Sequence, residues 1–134
     1  MNNQTMNYRK IGKLNSHTLV ERMSDHAIFL CCTSASQYGG VSVTEPALDR
    51  FNRLPRSPKF VLLRSMTGKW AACMPLDDLP YMIANEGRIG NDGRPWPDYR
   101  IYDREDVPAD TEVDPGLIEC LDQLESRRLA TIPF

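Results

Sequence analysis

Histidine is scarce, with His17 and His26 the only two in 134 residues, and none of the cysteines Cys31, Cys32, Cys73 and Cys120 stands in a C-x-x-C pair. A zinc site on ordinary local spacing is therefore excluded, and the sequence implies no metal and no cofactor. A chain of this length buries roughly two thirds of its unfolded surface and needs no disulfide staple. The thiols read as reduced and mostly buried, as small hydrophobes. Long apolar runs are missing too: the longest, Ala27 to Cys32, falls far short of the roughly 20 residues that span a bilayer. Met1 to Lys13 is polar, with no apolar stretch ahead of a small-residue cleavage site, so no export signal is expected. The expectation is a cytoplasmic protein, neither secreted nor membrane-spanning.

The signatures of common catalysis are equally sparse. G-x-S-x-G does not occur, so Ser34, Ser36 and Ser42 read as turn chemistry rather than hydrolase nucleophiles. The glycines at 87, 90 and 93 have no helix opening after them and no P-loop lysine, so they do not make a phosphate cradle. Gly87-Arg88-Ile89-Gly90 has the form of the GxxG loop of an RNA-binding KH module, without its flanking pattern. Cys31 or Cys32, at the end of an apolar run and next to a small-residue turn, could serve as a nucleophile with His17 or His26 as base. Adjacent strand residues face opposite sides, however, so at most one could reach a given pocket, and burial raises a thiol's pKa. The carboxylates Asp77-Asp78 fit helix capping, and Asp103, Glu105 and Asp106 fit a solvated loop.

What is present is an average globular composition, 41% hydrophobic and 25% charged, which argues for one domain over residues 1–134. Residues 1–70 hold ten Lys/Arg against four acids, and residues 71–134 hold six against fourteen, so the chain is a charge dipole along its sequence.

Residues 1–13 read as a polar, flexible start. Leu19, Val20 and Met23 suggest a helix over Ser16 to Ser24 capped by Asn15 or Ser16. His26 to Thr33 is a continuous apolar run suited to a central strand buried on both faces. Ser34 to Gly40 is a small-residue loop. Thr44 can cap a helix from Glu45 to Leu54, with Pro46 in its first turn and Pro55 and Pro58 ending it. Lys59 to Met66 and Lys69 to Met74 read as two strands joined tightly at Thr67-Gly68. Another helix is expected over Asp77 to Glu86, stopped by Gly87. Residues 88–111 form a long loop with a strand candidate at Tyr99 to Asp103. From Asp114-Pro115 to Arg128 an amphipathic helix presents Leu117, Ile118, Leu121 and Leu124 on one face. The expected fold is α+β: one small, mostly antiparallel sheet packed with about four helices.

The segment Gly87 to Tyr102 concentrates binding chemistry. Arg88, Arg94 and Arg100 offer planar anion-binding forks, and Trp96, Tyr99 and Tyr102 offer stacking surfaces. Aromatics and arginines on a loop are what protein-interface anchors look like. The expected function is therefore docking onto another protein, as an inhibitor or adaptor, with no catalytic residue. The alternative is a small-molecule or nucleotide binder, or a minor enzyme, with its pocket between loops 34–40 and 87–102. A third reading places nucleic acid on the basic residues from Arg50 to Arg64, against an overall pI of about 5.7.

Overall fold

The computed structural model describes residues 7–56, 58–81, 91–94, 99–108 and 113–130, with side chains through Leu124 in the last stretch. In chain order the elements are β1 (Tyr8–Leu14), β2 (His17–Arg22), β3 (Ile28–Ser34), β4 (Val41–Thr44), α1 (Glu45–Arg53), β5 (Lys59–Ser65), β6 (Trp70–Pro75), β7 (Tyr99–Tyr102) and α2 (Pro115–Ala130). Single 3-10 turns lie at Leu76–Asp78 and Arg104–Asp106. The fold is α+β, but among the described residues it has two α-helices rather than about four, and its strands form two sheets rather than one.

Both lost helices have physical explanations. His17–Arg22 is an internal strand, β2, hydrogen-bonded on both sides. Its Leu19 enters one core and its Val20 the other, so the adjacent apolar pair that suggested a helical stripe is divided between two faces. Asp77 and Asp78 belong to a 3-10 turn that ends at Leu79, and residues 82–86 of the expected helix lie outside the described residues.

The main sheet has the order β1-β2-β3-β5-β6, antiparallel throughout except for the central pair β3 and β5, which run parallel from Ile28↔Lys59 to Ser34↔Ser65. Parallel neighbours need a crossover, and β4 with α1 supplies it. The apolar run predicted as a central strand is one: Ile28, Leu30 and Cys32 face the crossover side, Phe29 and Cys31 the other. The hairpin β5–β6 forms as the sequence suggests, with a wider turn than Thr67-Gly68 alone. Ser65 pairs with Trp70, so four residues turn the chain, and Lys69 takes a positive φ of 54°.

One face of the sheet is covered by α1 and by the ribbon of β4 and β7. Helix α1 buries Ala47, Leu48 and Phe51 and carries its proline in the first turn. Thr44 sits at its N-cap in an extended conformation without capping through its side chain; its hydroxyl instead accepts from Asn15 Nδ2 at 3.4 Å. The other face is covered by α2, whose Leu117 and Leu121 are buried over Val20, Phe29, Cys31 and Leu62. Asp114 starts α2 by accepting the Gly116 N–H at 3.0 Å, and its second oxygen takes the Tyr8 hydroxyl at 2.6 Å.

Residues 8–13, read as part of a polar start, belong to edge strand β1. Arg9, Lys10 and Lys13 are exposed along it and its register shifts between Lys10 and Gly12. Both features oppose pairing with a further chain.

Candidate functional site

An open groove of about 620 Å³ lies at the carboxyl end of β3, between the 34–40 loop and the outer face of the β4–β7 ribbon. The ribbon's pairing, Val41↔Tyr102 through Thr44↔Tyr99, explains its two faces. Val41, Val43 and Tyr102 are fully buried in the core, leaving Ser42, Thr44, Tyr99 and Ile101 to line the groove. Ile101 is 42% exposed.

The opposite wall is held to the main sheet through the end of β5 and the following turn. The Met66 N–H donates to Ser34 O at 2.8 Å, the Thr67 hydroxyl donates to Ser36 O, and the Trp70 indole donates to Gly39 O at 3.0 Å. Within the loop, Ser34 Oγ accepts the Ser36 N–H at 3.2 Å and Ser36 Oγ accepts the Tyr38 N–H at 3.3 Å. Gly39 completes the turn at φ 78°. This bracing leaves Tyr38 standing out at 84% exposure. Gly40 lets the loop close on β7: a Cβ there would come within 3.0 Å of Ile101 Cγ2 and 3.1 Å of Asp103 Oδ1.

The predicted anchors divide. Tyr99 lines the groove. Arg94 is exposed in a turn where its N–H donates to Asp92 Oδ1 at 3.0 Å. Arg100 is committed within the molecule: it pairs with Glu45, lies over the Tyr81 ring at 4.8 Å and donates to Tyr102 Oη at 3.3 Å. The Glu45 carboxylate holds its guanidinium above its ordinary pKa. Tyr102 is fully buried, with its hydroxyl on Pro80 O at 2.6 Å. Arg88 and Trp96 lie outside the described residues. Ile101 was not anticipated; the period-2 pattern of Tyr99 to Tyr102, with Tyr102 inward, is the signal that points it outward.

Cys31 and Cys32 do face opposite sides, each in its own core, and burial pushes both thiols up. Cys73 is pushed up to about 11 by the same cause. None of the four lines the groove. His17 is the buried first residue of β2 rather than a helix residue; burial lowers its pKa, and its Nε2 has no partner among the described residues. His26 is an exposed turn residue at φ 62°, 3.4 Å from Glu21.

The basic residues from Arg50 to Arg64 do not make one strip. Arg53 pairs with Asp49, Arg56 with Glu21, and Lys59 donates to Asn52 O at 2.7 Å, all on or beside α1. Arg64 is buried on the opposite side of the sheet against Asp122 of α2. Among the described residues no cluster of His, Cys, Asp and Glu could hold a metal ion, and no helix is long and apolar enough to cross a membrane.

The chain matches no protein-family model, and comparisons with curated proteins and with solved structures return no match. The groove is therefore read on its own chemistry.

Proposed function

We propose that the protein acts by docking onto another protein, as an inhibitor or adaptor, and that the groove beside Tyr38 and Ile101 is the docking surface. The observation that carries this reading is the grouping of exposed apolar side chains at one end of the sheet. Among the described residues five large hydrophobics are exposed, and three of them, Tyr38 (84%), Ile101 (42%) and Met66 (43%), sit around this end. Grouped exposed apolar surface of this kind marks interaction sites, whereas single exposed residues do not. An aromatic held out by a braced loop costs little entropy when it is buried by a partner. Arg94, exposed in a turn of the 87–102 segment, remains part of the proposal together with Arg88 and Trp96 of that segment on their chemistry alone. The working compartment we infer is the cytoplasm, supported by Cys31, Cys32 and Cys73, none of which forms a disulfide.

A second reading, a small-ligand site, is favoured by one observation: the groove volume of about 620 Å³ falls within the roughly 300–1,000 Å³ typical of ligand pockets. Such pockets enclose most of their ligand. Here Cys32 and Arg94 do not line the cavity and Tyr38 stands in solvent, which supports the docking reading instead.

The test is capture from cell extract by the tagged full chain, quantified by mass spectrometry and repeated with the purified partner. A near-stoichiometric partner lost with Tyr38→Ala/Ile101→Ser, in a variant with unchanged circular dichroism, supports docking at the groove. A partner retained by that variant but lost with Trp96→Ala/Arg94→Ala moves the site to the 87–102 segment, and one retained by both overturns the reading.

A further inference from the structure

Resting on the docking reading, we infer that the groove receives a basic side chain, a lysine or arginine presented by the partner protein. The argument is charge complementarity. Of the nine described residues that line the groove, none is lysine, arginine or histidine, and the one charged residue among them is Asp103. The other polar liners are hydroxyls: Ser34, Ser36, Ser42 and Thr44, with the phenols of Tyr38 and Tyr99. Hydroxyl oxygens and a carboxylate are acceptors for an ammonium or guanidinium, while an anionic group would meet Asp103 and find no cation among the liners.

The two tyrosines add ring faces. Cations are attracted to the faces of aromatic rings, more strongly as water is excluded, and Tyr38 is free to fold over an incoming side chain because its ring makes so little contact in the unbound protein. The position of Asp103 is built in. It exchanges a reciprocal capping box with Asp106 at the start of the 3-10 turn, its N–H donating to Asp106 Oδ2 at 2.8 Å, and Gly40 allows its carboxylate to lie directly against the loop. The nearby arginine of the ribbon, Arg100, is neutralised by Glu45 on the other side of β7 and does not line the groove.

The test uses the full chain, labelled with nitrogen-15, and two peptides: acetyl-TVRVT-amide and its twin with citrulline, the uncharged isostere, in place of arginine. The expected result is amide shifts at Ser36, Tyr38, Ser42 and Ile101 with the arginine peptide, and affinity about fivefold weaker for the citrulline twin. That difference should shrink in 0.5 M salt. Asp103→Asn keeps an N-cap residue of equal quality while removing the charge, so with the turn intact it should narrow the difference between the two peptides to what the tyrosine faces supply. Equal binding of the two peptides by wild type, or no shift at the groove with either, overturns the basic-ligand inference. Neither result touches docking itself, which stands or falls with the Tyr38→Ala/Ile101→Ser capture experiment.

Discussion

Glu21 shows how this molecule tolerates a buried charge. Its side chain is only 4% exposed, yet Arg9 reaches it from β1 at 2.7 Å and Arg56 from the segment after α1. Those two guanidinium hydrogen bonds hold its carboxyl down at about 2. Because Arg56 also donates to His26 O at 3.1 Å, the cluster ties the exit of α1 to the β2–β3 turn. Glu21→Gln removes the shared counter-charge and leaves two arginines facing each other, so it should lower the melting temperature more than Arg53→Ala does. The latter deletes only an exposed i,i+4 pair, of the kind that contributes about 0.3–0.5 kcal/mol. Thermal melts of the two variants in parallel make the comparison. Tyr38 lies at the other extreme: Tyr38→Ala should alter stability by no more than about 0.5 kcal/mol, measured by urea unfolding, while weakening partner capture.

At the scale of elements, α2 covers the face of the sheet that holds Val20, Phe29, Cys31 and Leu62, and among its described side chains Leu117, Cys120 and Leu121 are buried there. Leu121→Ala leaves a cavity over the β3–β5 centre and should cost about 2–5 kcal/mol. Asp114→Ala loses both the helix cap and the Tyr8 hydroxyl's acceptor and should cost about 1–2 kcal/mol. Denaturant midpoints for both variants check the order. Helix α2 was legible in the sequence because Asp-Pro marks its start and Leu117, Leu121 and Leu124 repeat at helical spacing, and the β5–β6 hairpin was legible because two apolar runs flank a turn. Strand β2 was not legible. It is buried on both faces, and the polar residues His17 and Glu21 occupy core positions, so it shows neither alternation nor an apolar run. Polar β1 exists by virtue of its pairing with β2, a tertiary fact that no local pattern contains. The groove was half legible: loop 34–40 and Tyr99 were in view, but Val41–Thr44 is so short that its alternation, Val41 and Val43 in and Ser42 out, is lost beside the helix that follows.

For the whole molecule, the ionisable groups whose pKa values folding displaces define a stability profile with two limbs. Glu21 and Asp25 are both held at about 2, Glu21 by its two arginines and Asp25 by Arg22. Unfolded, they return to the ordinary range of 4.5 and 3.8, so below that range the unfolded chain takes up protons first. Their contribution is complete above about pH 5 and is lost as the pH falls towards 2. His17 extends the acid limb upwards. Burial lowers its pKa from 6.5, so on acidification below that value the unfolded chain again binds the proton more readily, and stability declines by at most about 1.4 kcal/mol per pH unit from this one group. The buried thiols open the alkaline limb: burial raises Cys31, Cys32 and Cys73 above the ordinary 9.0, so the unfolded chain loses those protons first as the pH rises through that value, and Tyr8, raised to about 12 from 10 by burial and the Asp114 carboxylate, extends the limb upwards. The profile should be flat only from about pH 7 to 8. His17→Gln, which stays polar but cannot titrate, should flatten the segment between pH 7 and 5 while leaving the fall below pH 4.5 in place. Urea unfolding at unit intervals of pH decides this: an unchanged slope from pH 7 to 5 in the variant would remove His17 from the acid limb and leave the carboxylates to carry all of it.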